Sequence, residues 1–344
     1  MSGDEHKRYL DMAARAAWRA VGDVEPNPLV GAVLVRDGRV LAIGHHKRFG
    51  GLHAEREAIA RCRELGEDPR GATLYCTLEP CCHTGKQPPC TEAVIEAGIG
   101  RVVCARHDPA EVSGGGCAIL EAAGIPCEVS DASANATRIS DPFVHRVRTG
   151  RPWVIAKWAQ TLDGKLDVRD EGRRWISGES ARRRVHRLRA RVDAIVTGIG
   201  TVLADDPLLN VRGVRRVRRT PVRVVLDSRG RMPADAAMLR DDGPEVVVLR
   251  EGVRDWGVVL GKLGERGIAS VLLEAGPGVL GSAFEGGFVD QAVVHVPAGD
   301  AGAAARAAEA FMPVLGGGTF TRVRMARVGG DFELIFWRAA SNSR

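Results

Sequence analysis

Short apolar runs alternate with helical patterns along the chain, and this alternation is the feature that most constrains its fold. The helical patterns include apolar positions repeating from Leu10 to Val21, the stretch 54–65, and short segments after Pro89 and at 118–124. The apolar runs of the first part lie at 29–44, 72–78, 101–105 and 127–130, and Asp37-Gly38 predicts a tight hairpin turn in the first of them. Such alternation is typical of layered α/β domains.

A second alternation begins at residue 153, with further apolar runs at 193–198, 223–228, 245–250, 270–276, 291–297 and 332–337. The chain of 344 residues is long enough for two globular domains that each bury a core. Between them the segment 147–153 contains Gly150 and Pro152 and predicts a linker. We therefore expect one α/β domain over 1–147 and another over 152–340.

The composition is that of a soluble protein. Apolar residues make up 44% of the chain and charged residues 27%, and no window approaches the roughly 18 uninterrupted apolar residues of a membrane span. The first residues mix acids and bases and have no apolar signal core. These features predict a cytoplasmic protein without a membrane partner.

The formal net charge of +6 comes largely from two arginine-rich segments, 181–191 and 211–223, and favours anionic partners. Aromatic residues make up only 5% of the chain and are not interleaved with these arginines, as they would be on a surface that stacks single-stranded bases. A phosphate-bearing small molecule is therefore a better prediction than nucleic acid.

All eight cysteines lie in the first 127 residues. In a reducing compartment, clustered thiols more often bind metal or perform chemistry than form disulfides. Metal chemistry is therefore predicted for the first half of the chain. The eight are Cys62, Cys76, Cys81, Cys82, Cys90, Cys104, Cys117 and Cys127.

Three residues of the types that bind zinc occur at predicted helix starts or turns. They are His53 in His-Ala-Glu, Cys81 after Pro80, and Cys90 after two prolines. A catalytic zinc takes three protein ligands and keeps a fourth position for water. A helix N-terminus favours the thiolate form of cysteine that binds metal. Glu55 lies two residues from the histidine and is placed to take a proton from the zinc-activated water.

This combination predicts hydrolytic deamination by zinc hydroxide. His-x-Glu followed by Pro-Cys-x-x-Cys is the known signature of zinc nucleobase deaminases, although here eight residues separate Cys81 from Cys90. A structural zinc site with Cys82 or His83 as its fourth ligand is an alternative. The remaining cysteines, namely Cys62, Cys76, Cys104, Cys117 and Cys127, are predicted to be small buried apolar residues.

Four segments of the first half (26–35, 44–55, 77–90 and 101–116) closely resemble the deaminase domain of the bifunctional riboflavin-biosynthesis deaminase/reductase family. The long spacer between the two cysteines, with its Gly-Lys and Pro-Pro, is typical of that family. The resemblance implies a cytidine-deaminase-like α/β/α domain, with His53, Cys81 and Cys90 as zinc ligands and Glu55 as the catalytic proton shuttle. It also implies that a phosphorylated diaminopyrimidinone substrate contacts Asn27, His46, Ala54 and Lys86.

The second half contains one glycine-rich stretch, Gly276 to Gly281, which follows a predicted strand and precedes a helical segment. Its backbone amides could hold a phosphate, but the expected acidic ribose partner is missing and a plain glycine-rich turn is an alternative. Segments 157–166, 173–212, 221–228 and 272–290 resemble the reductase domain of the same family, which is dihydrofolate-reductase-like and uses NADPH.

By this resemblance one group of residues would contact NADPH and another the ribosylamino-pyrimidine. The first group is Ala159, Trp175, Thr201, Asp205, Ser228, Gly276, Pro277 and Gly278, and the second is Arg173, Arg189, Leu209, Arg212 and Glu274. The chain departs from the family pattern at Asp167, Arg173 and 296–302. An altered reductase half beside an active deaminase is therefore one alternative to a bifunctional enzyme. A non-catalytic, zinc-stabilised protein that binds nucleic acid through the arginine-rich segments is another. We also expect a homo-oligomer.

Overall fold

The computed structural model describes residues 3–167, 172, 175–215, 217–240, 242–315 and 320–338. Two compact units make up the chain, Met1–Gly150 and Arg151–Arg344. The loop between them is shorter than the segment 147–153 suggests, because helix α6 (Asp141–Thr149) continues until Gly150 adopts a left-handed conformation with φ 68°. The first strand of the second unit begins at Trp153.

The first unit contains a five-stranded sheet in the order β2-β1-β3-β4-β5. Strands β1 and β2 form the predicted antiparallel hairpin, with Asp37 and Gly38 at positive φ in its turn, whereas β3, β4 and β5 are parallel. The strands are β1 (Gly31–Arg36), β2 (Arg39–His45), β3 (Thr73–Cys76), β4 (Arg101–Cys104) and β5 (Cys127–Val129). The helices are α1 (Gly3–Ala17), α2 (Ala54–Glu64), α3 (Cys90–Glu96), α4 (Gly116–Ala122), α5 (Ala134–Arg138) and α6, with a 3-10 turn at Trp18–Ala20.

Helices cover both faces of this sheet, because its buried strands carry apolar side chains on both sides. Leu10 and Ala136 pack with Val33 and Val103 on one face. On the other face, Ala58 of α2 and Leu120 of α4 pack with the remaining strand residues. The result is the α/β/α layering that the sequence predicts.

The second unit contains an eight-stranded sheet in the order β12-β13-β11-β6-β10-β7-β8-β9. All of these strands run in one direction except β13, which is antiparallel to both of its neighbours. The strands are β6 (Trp153–Ala159), β7 (Ala194–Gly198), β8 (Val222–Leu226), β9 (Val246–Leu249), β10 (Ser270–Leu273), β11 (Gln291–Pro297), β12 (Phe320–Val328) and β13 (Asp331–Arg338). The helices are α7 (Glu179–Arg189), α8 (Ile199–Asp205), α9 (Ala237–Arg240), α10 (Trp256–Glu265), α11 (Pro277–Glu285) and α12 (Ala301–Phe311), with a 3-10 turn at Pro313–Leu315.

Two apolar cores lie on opposite faces of the larger sheet. Leu260, Phe284 and Ala304 bring α10, α11 and α12 into one core. Val202 and Met238 bring α8 and α9 into the other. Among the described helices, none is both long enough and apolar enough to span a bilayer.

The cysteines outside the predicted metal site divide into two groups. Cys62, Cys76 and Cys104 are buried in the apolar core of the first unit, as expected. The expectation of unpaired apolar cysteines is wrong for Cys117 and Cys127, which form a disulfide. The fold brings the start of α4 next to the start of β5, with the two Cα atoms 5.2 Å apart, and this proximity could not be read from the spacing of the residues.

Candidate active sites

The three predicted metal ligands of the first unit converge. His53 is the residue before α2, and its Nδ1 atom lies 3.4 Å from Sγ of Cys81 and 3.3 Å from Sγ of Cys90, which opens α3. The three ligand atoms lie within 4.8 Å of one another. One imidazole nitrogen and two sulfurs at this separation fit a zinc centre that has three protein ligands and an open fourth position.

The two sulfurs favour a cation between them. The hydrogen bond from Cys90, and then the one from His53, lowers the pKa of Cys81 to about 4, so this sulfur is a thiolate. The hydrogen bond to Cys81, together with burial, raises the pKa of Cys90 well above its usual value. A thiolate beside a thiol that loses its proton on metal binding is a donor set suited to a divalent cation.

Hydrogen bonds hold the two cysteine loops in register with α2. Arg56 donates from Nε to the Pro88 carbonyl at 3.2 Å and from Nη2 to the Pro89 carbonyl at 2.7 Å. The Thr91 amide donates to the Cys81 carbonyl at 3.2 Å. Cys82 donates instead to the Gly114 carbonyl at 3.0 Å and is not part of the ligand group, which speaks against Cys82 as a fourth ligand.

Glu55 lies beside the ligands in the first turn of α2 and is only 3% exposed. Burial, and then the negative charge of Cys81, raises the pKa of Glu55 to about 7. A carboxylate whose pKa is near neutrality can both accept and return a proton. The helix that carries Glu55 packs closely on β2 at Gly44. A Cβ atom at Gly44 would lie 2.4 Å from the Ala54 carbonyl oxygen, so only glycine allows α2 to approach this near.

All four residues predicted to bind the pyrimidine, Asn27, His46, Ala54 and Lys86, line one cavity of about 350 Å³ together with His53, Cys81 and Glu55. Nδ1 of His46 lies 2.9 Å from the Leu52 carbonyl, which can only accept, so Nδ1 carries the proton. Nε2 of His46 then accepts from the Asn27 amide at 3.2 Å, and burial lowers the pKa of His46 and keeps the ring neutral. The amide oxygen of Asn27 is thereby left for a ligand.

Lys86 lies at the same cavity and its Nζ atom is 4.0 Å from the centroid of the Phe49 ring. A cation over an aromatic face is held in place without being neutralised, so its charge stays available to a phosphate. The cavity therefore combines an acid, a metal-ligand set, an amide and a fixed cation.

In the second unit, predicted nucleotide residues lie at one edge of the sheet. Ala159 ends β6, Thr201 lies in α8 directly after β7, and Ser228 follows β8. These parallel strands have their carboxyl ends on the same edge, where ligands of open α/β sheets bind. Gly276 is the residue before α11, in the loop after β10, and its amide donates to Oγ1 of Thr201 at 3.2 Å, so the glycine turn and α8 meet.

Two residues predicted to contact the substrate, Arg189 and Glu274, form a salt bridge. Nε and Nη2 of Arg189 donate to the two Glu274 carboxylate oxygens at 2.7 and 2.9 Å. Their side chains are only 13% and 12% exposed. Although burial opposes it, Arg189 and then Lys157 keep the pKa of Glu274 below its usual value. The same surroundings, chiefly burial, lower the pKa of Lys157.

Known proteins match both halves of the chain. Residues 4–106 match the cytidine and deoxycytidylate deaminase zinc-binding region, and residues 152–308 match the RibD C-terminal domain. The riboflavin biosynthesis protein RibD of Aquifex aeolicus (strain VF5) is 37% identical over 310 residues, which are 84% of this chain and 86% of that protein. The RibD of Escherichia coli (strain K12) is 36% identical over 319 residues, with coverage of 84% and 86%. The chain belongs to the RibD family.

Solved RibD structures agree over nearly the whole length. The crystal structure of a diaminohydroxyphosphoribosylaminopyrimidine deaminase/5-amino-6-(5-phosphoribosylamino)uracil reductase from Thermotoga maritima has a TM-score of 0.80 at 32% identity, covering 98% of this chain and 99% of that one. Acinetobacter baumannii RibD, form 1, has a TM-score of 0.78 at 30% identity, covering 98% and 100%.

As a RibD, the chain is a bifunctional enzyme of riboflavin biosynthesis, with a zinc-dependent deaminase domain followed by an NADPH-dependent reductase domain. The alternative of a deaminase with an altered second half is not favoured, because the RibD C-terminal domain is present.

Two charged residues at the candidate sites were not predicted. Asp108 lines the deaminase cavity and accepts from Oγ of Ser113 at 2.6 Å and from the Ala110 amide at 3.0 Å. Lys157 lies in the segment 157–166, which resembles the reductase domain. It comes close to Glu274 only because β6 pairs with β10 in the folded sheet. The signals that could have found them are a lysine inside an apolar strand, for Lys157, and an acidic residue in the loop that follows an apolar strand, for Asp108.

The other residues predicted for the reductase site lie outside the Arg189–Glu274 salt bridge, and several of them are exposed. Leu209 is buried with a positive φ of 46°, and the Arg212 amide donates to Nδ1 of His186 at 3.2 Å. Trp175 is 55% exposed, with the Arg182 guanidinium 5.5 Å from its ring centroid. Asp205 and Ser228 are exposed, Pro277 and Gly278 form the first turn of α11, and Arg173 lies outside the described residues.

Proposed function

We propose that the first domain, over 1–147, hydrolyses the 2-amino group of 2,5-diamino-6-(ribosylamino)pyrimidin-4-one 5′-phosphate. The second domain, over 152–340, then reduces the ribosyl group of the product to a ribityl chain. One observation supports the first step above all others: His53, Cys81 and Cys90 converge, and His53 and Cys81 line a cavity together with the buried Glu55 and with Lys86.

In the deamination, the side chains divide the work between proton transfer and binding. Zinc held by His53, Cys81 and Cys90 supplies Lewis-acid activation of the attacking water. Glu55 takes a proton from that water and returns it to the departing amino group, for which a pKa of about 7 is well matched. Burial of Glu55 excludes bulk water from the proton path.

Substrate recognition follows from the cavity wall. The Asn27 amide, oriented by His46, pairs with an edge of the pyrimidine, and the Ala54 backbone lies beside the ligands. Lys86 binds the ribosyl phosphate as a point charge. Asp108 is a further acceptor for an amino group of the ring, since Ser113 and Ala110 hold its carboxylate in the cavity.

In the reduction, NADPH supplies the hydride, and the chain binds and orients it against the ribosyl carbon. The turn of Gly276, Pro277 and Gly278 opens α11 at the cofactor phosphate. Gly278 can donate its backbone amide there, whereas Pro277 has no N–H and the Gly276 amide donates to Oγ1 of Thr201. Ala159, Trp175, Thr201, Asp205 and Ser228 complete the cofactor site. Glu274, held by Arg189, and the neighbouring Lys157 orient the pyrimidine, with Leu209, Arg212 and Arg173 completing the substrate site.

The deciding experiment supplies the diaminopyrimidinone phosphate to purified protein and follows ammonia and NADPH together. We expect one zinc per chain and stoichiometric ammonia release followed by NADPH oxidation. Cys90→Ala is expected to lose zinc and ammonia release, while Cys82→Ser, the matched control, keeps both. Full deamination by metal-free protein would contradict the deaminase mechanism. Absence of NADPH oxidation when folded protein is given the deaminated product would contradict the reductase half.

The compartment and assembly are also part of the proposal. We expect a cytoplasmic homo-oligomer with small-molecule substrates, no nucleic-acid partner and no membrane partner. Light scattering after size-exclusion chromatography tests the assembly, and a mass equal to one chain of 36.8 kDa at micromolar concentration would contradict it.

A further inference from the structure

A second sulfur cluster lies in the deaminase domain, outside the zinc ligand set. It consists of Cys104 at the end of β4, Cys117 in the first turn of α4, and Cys127 at the start of β5. Cys117 and Cys127 are joined by a disulfide, and Sγ of Cys104 lies 3.9 Å from Sγ of Cys117. The chain therefore holds a bonded pair with a third thiol beside it.

The bonded pair and the third thiol differ in their access to solvent. Cys117 and Cys127 line an open cavity of about 480 Å³, whose wall also carries Glu79, His107 and Glu121. Cys104 is fully buried and does not line this cavity, and burial raises the pKa of its thiol to about 12. A thiol of this kind is inert towards disulfides. Within the pair, Cys117 is only 7% exposed and Cys127 is partly buried, so a small reagent meets the pair through Cys127.

The first turn of α4, which carries Cys117, also touches the loop that carries the zinc ligand Cys81. The Cys117 amide donates to Oε1 of Glu79 at 2.8 Å. A Cβ atom at Gly116 would lie 1.8 Å from the Pro80 carbonyl oxygen, so this turn and the ligand loop are in direct contact. The disulfide links the same turn to β5. Forming or breaking this bond should therefore change how rigidly the Cys81 loop is held.

We propose that Cys117 and Cys127 are a reversible redox-modification site that exchanges with low-molecular-weight thiols and disulfides, and that its disulfide steadies the Cys81 loop. In oxidation, the thiolate of one cysteine attacks the external disulfide and releases one small thiol. The other cysteine then displaces the second small thiol. One sulfur–sulfur bond forms and one breaks, and two electrons and two protons pass to the small molecule.

The pairing is tested on wild-type protein equilibrated with reduced and oxidised glutathione at a series of ratios, quenched with acid, unfolded and alkylated. Trypsin cleaves after Arg106 and Arg138 and yields a peptide that carries only Cys117 and Cys127, separate from Cys104. We expect this peptide to change from doubly alkylated to disulfide-bonded as the ratio becomes oxidising, and to return on reduction. Cys104 is expected to be alkylated throughout.

The structural consequence is tested by zinc transfer to a coloured chelator, with a phosphine as reductant because dithiols bind zinc themselves. Reduction is expected to speed zinc loss from wild-type protein at least twofold. It is also expected to lower the melting temperature by about 5 °C or more, because a short disulfide loop is opened. Cys127→Ala should lose zinc at the faster rate under both conditions, whereas Cys62→Ala, which removes a buried cysteine outside the cluster, should respond like wild type.

The wild-type comparison of oxidised and reduced protein keeps the test decisive even where Cys127→Ala folds poorly. Thiols that stay reduced at every glutathione ratio, or equal zinc loss in both states, would overturn the proposal. Binding of a second zinc per chain only after reduction would assign the three sulfurs to a metal and would overturn it as well. The proposal rests on the proposed zinc centre only through the chelator assay, since the peptide mapping is independent of deaminase activity.

Discussion

The carboxylate of Glu79 holds the loop after β4 against the zinc ligand loop, and replacing it with an amide should disturb both. Its Oε1 atom accepts from the Cys117 amide at 2.8 Å. Its Oε2 atom accepts from the Asp108 amide at 3.0 Å and lies 3.2 Å from Nδ1 of His107. Glu79→Gln keeps the shape of the side chain but sets one NH₂ group against the Asp108 amide, a donor facing a donor.

The cost follows from these contacts. A hydrogen bond to a charged group contributes about 1.5–3 kcal/mol, and a buried donor left without an acceptor costs about 1–3 kcal/mol. Because the two costs overlap at one atom, we expect the free energy of unfolding of the deaminase domain to fall by about 3 kcal/mol. For a domain of this size, that corresponds to a melting temperature lower by about 6–12 °C.

Deamination should fall more than stability alone explains, because Glu79 lies two residues before the zinc ligand Cys81. A small displacement of a reacting group can cost up to about a hundredfold in rate, so we expect a ten- to hundredfold lower kcat/KM for ammonia release. NADPH oxidation with the deaminated intermediate serves as an internal control in the same chain and should not change.

The assay compares thermal melting, zinc content and both activities for wild type, Glu79→Gln and Glu64→Gln. Glu64→Gln is the same chemical change at a position whose side chain is 66% exposed, and this variant should behave like wild type. If Glu79→Gln melts within about 2 °C of wild type and releases ammonia normally, the argument that this carboxylate positions the zinc loop is refuted.

Three further changes test other parts of the two sites. Glu55→Gln should keep zinc but reduce ammonia release about 10²- to 10⁴-fold, because it removes the proton acceptor; an unchanged rate would exclude its role. Gly116→Ala places a Cβ atom 1.8 Å from the Pro80 carbonyl oxygen and should weaken zinc retention, measured by metal analysis after dialysis, with NADPH oxidation as the unaffected control. Glu274→Gln leaves Arg189 buried without its anion and should destabilise the reductase domain by about 3–5 kcal/mol, measured by denaturant unfolding, while ammonia release persists.

The order of elements could be predicted largely from local patterns. Apolar runs predicted the strands of the first sheet and those of the second sheet except β12, and the Asp37-Gly38 pair predicted the β1–β2 hairpin, because these features depend on residues close in the chain. Strand β12 was missed because its residues are exposed or half-buried and it contains no apolar run. The linker was predicted too long, since helix α6 continues to Thr149. The antiparallel pairing of β13 with β12 is local, because only Gly329 and Gly330 separate the two strands, whereas the pairing of β13 with β11 joins residues far apart in the chain and has no local signal.

The deaminase site was more predictable than the reductase site. His53, Cys81 and Cys90 are chemically distinctive residues at helix starts and turns, so their spacing alone indicates a metal. The reductase contacts are ordinary residues at the ends of separate strands. Only the strand order β6-β10-β7-β8 brings Glu274 within reach of Lys157 and Arg189.

The sequence alone predicts two α/β domains, a zinc-ligand set and a proton-transferring glutamate, because short-range periodicity and residue chemistry are local properties. Tertiary structure decided which of the other polar residues work with them. Glu79 reaches the Cys117 amide across 38 residues, and Cys117 meets Cys127 in a disulfide that the expectation of a reducing compartment argued against. Such contacts depend on how helices and strands pack, and packing is a property of the whole fold.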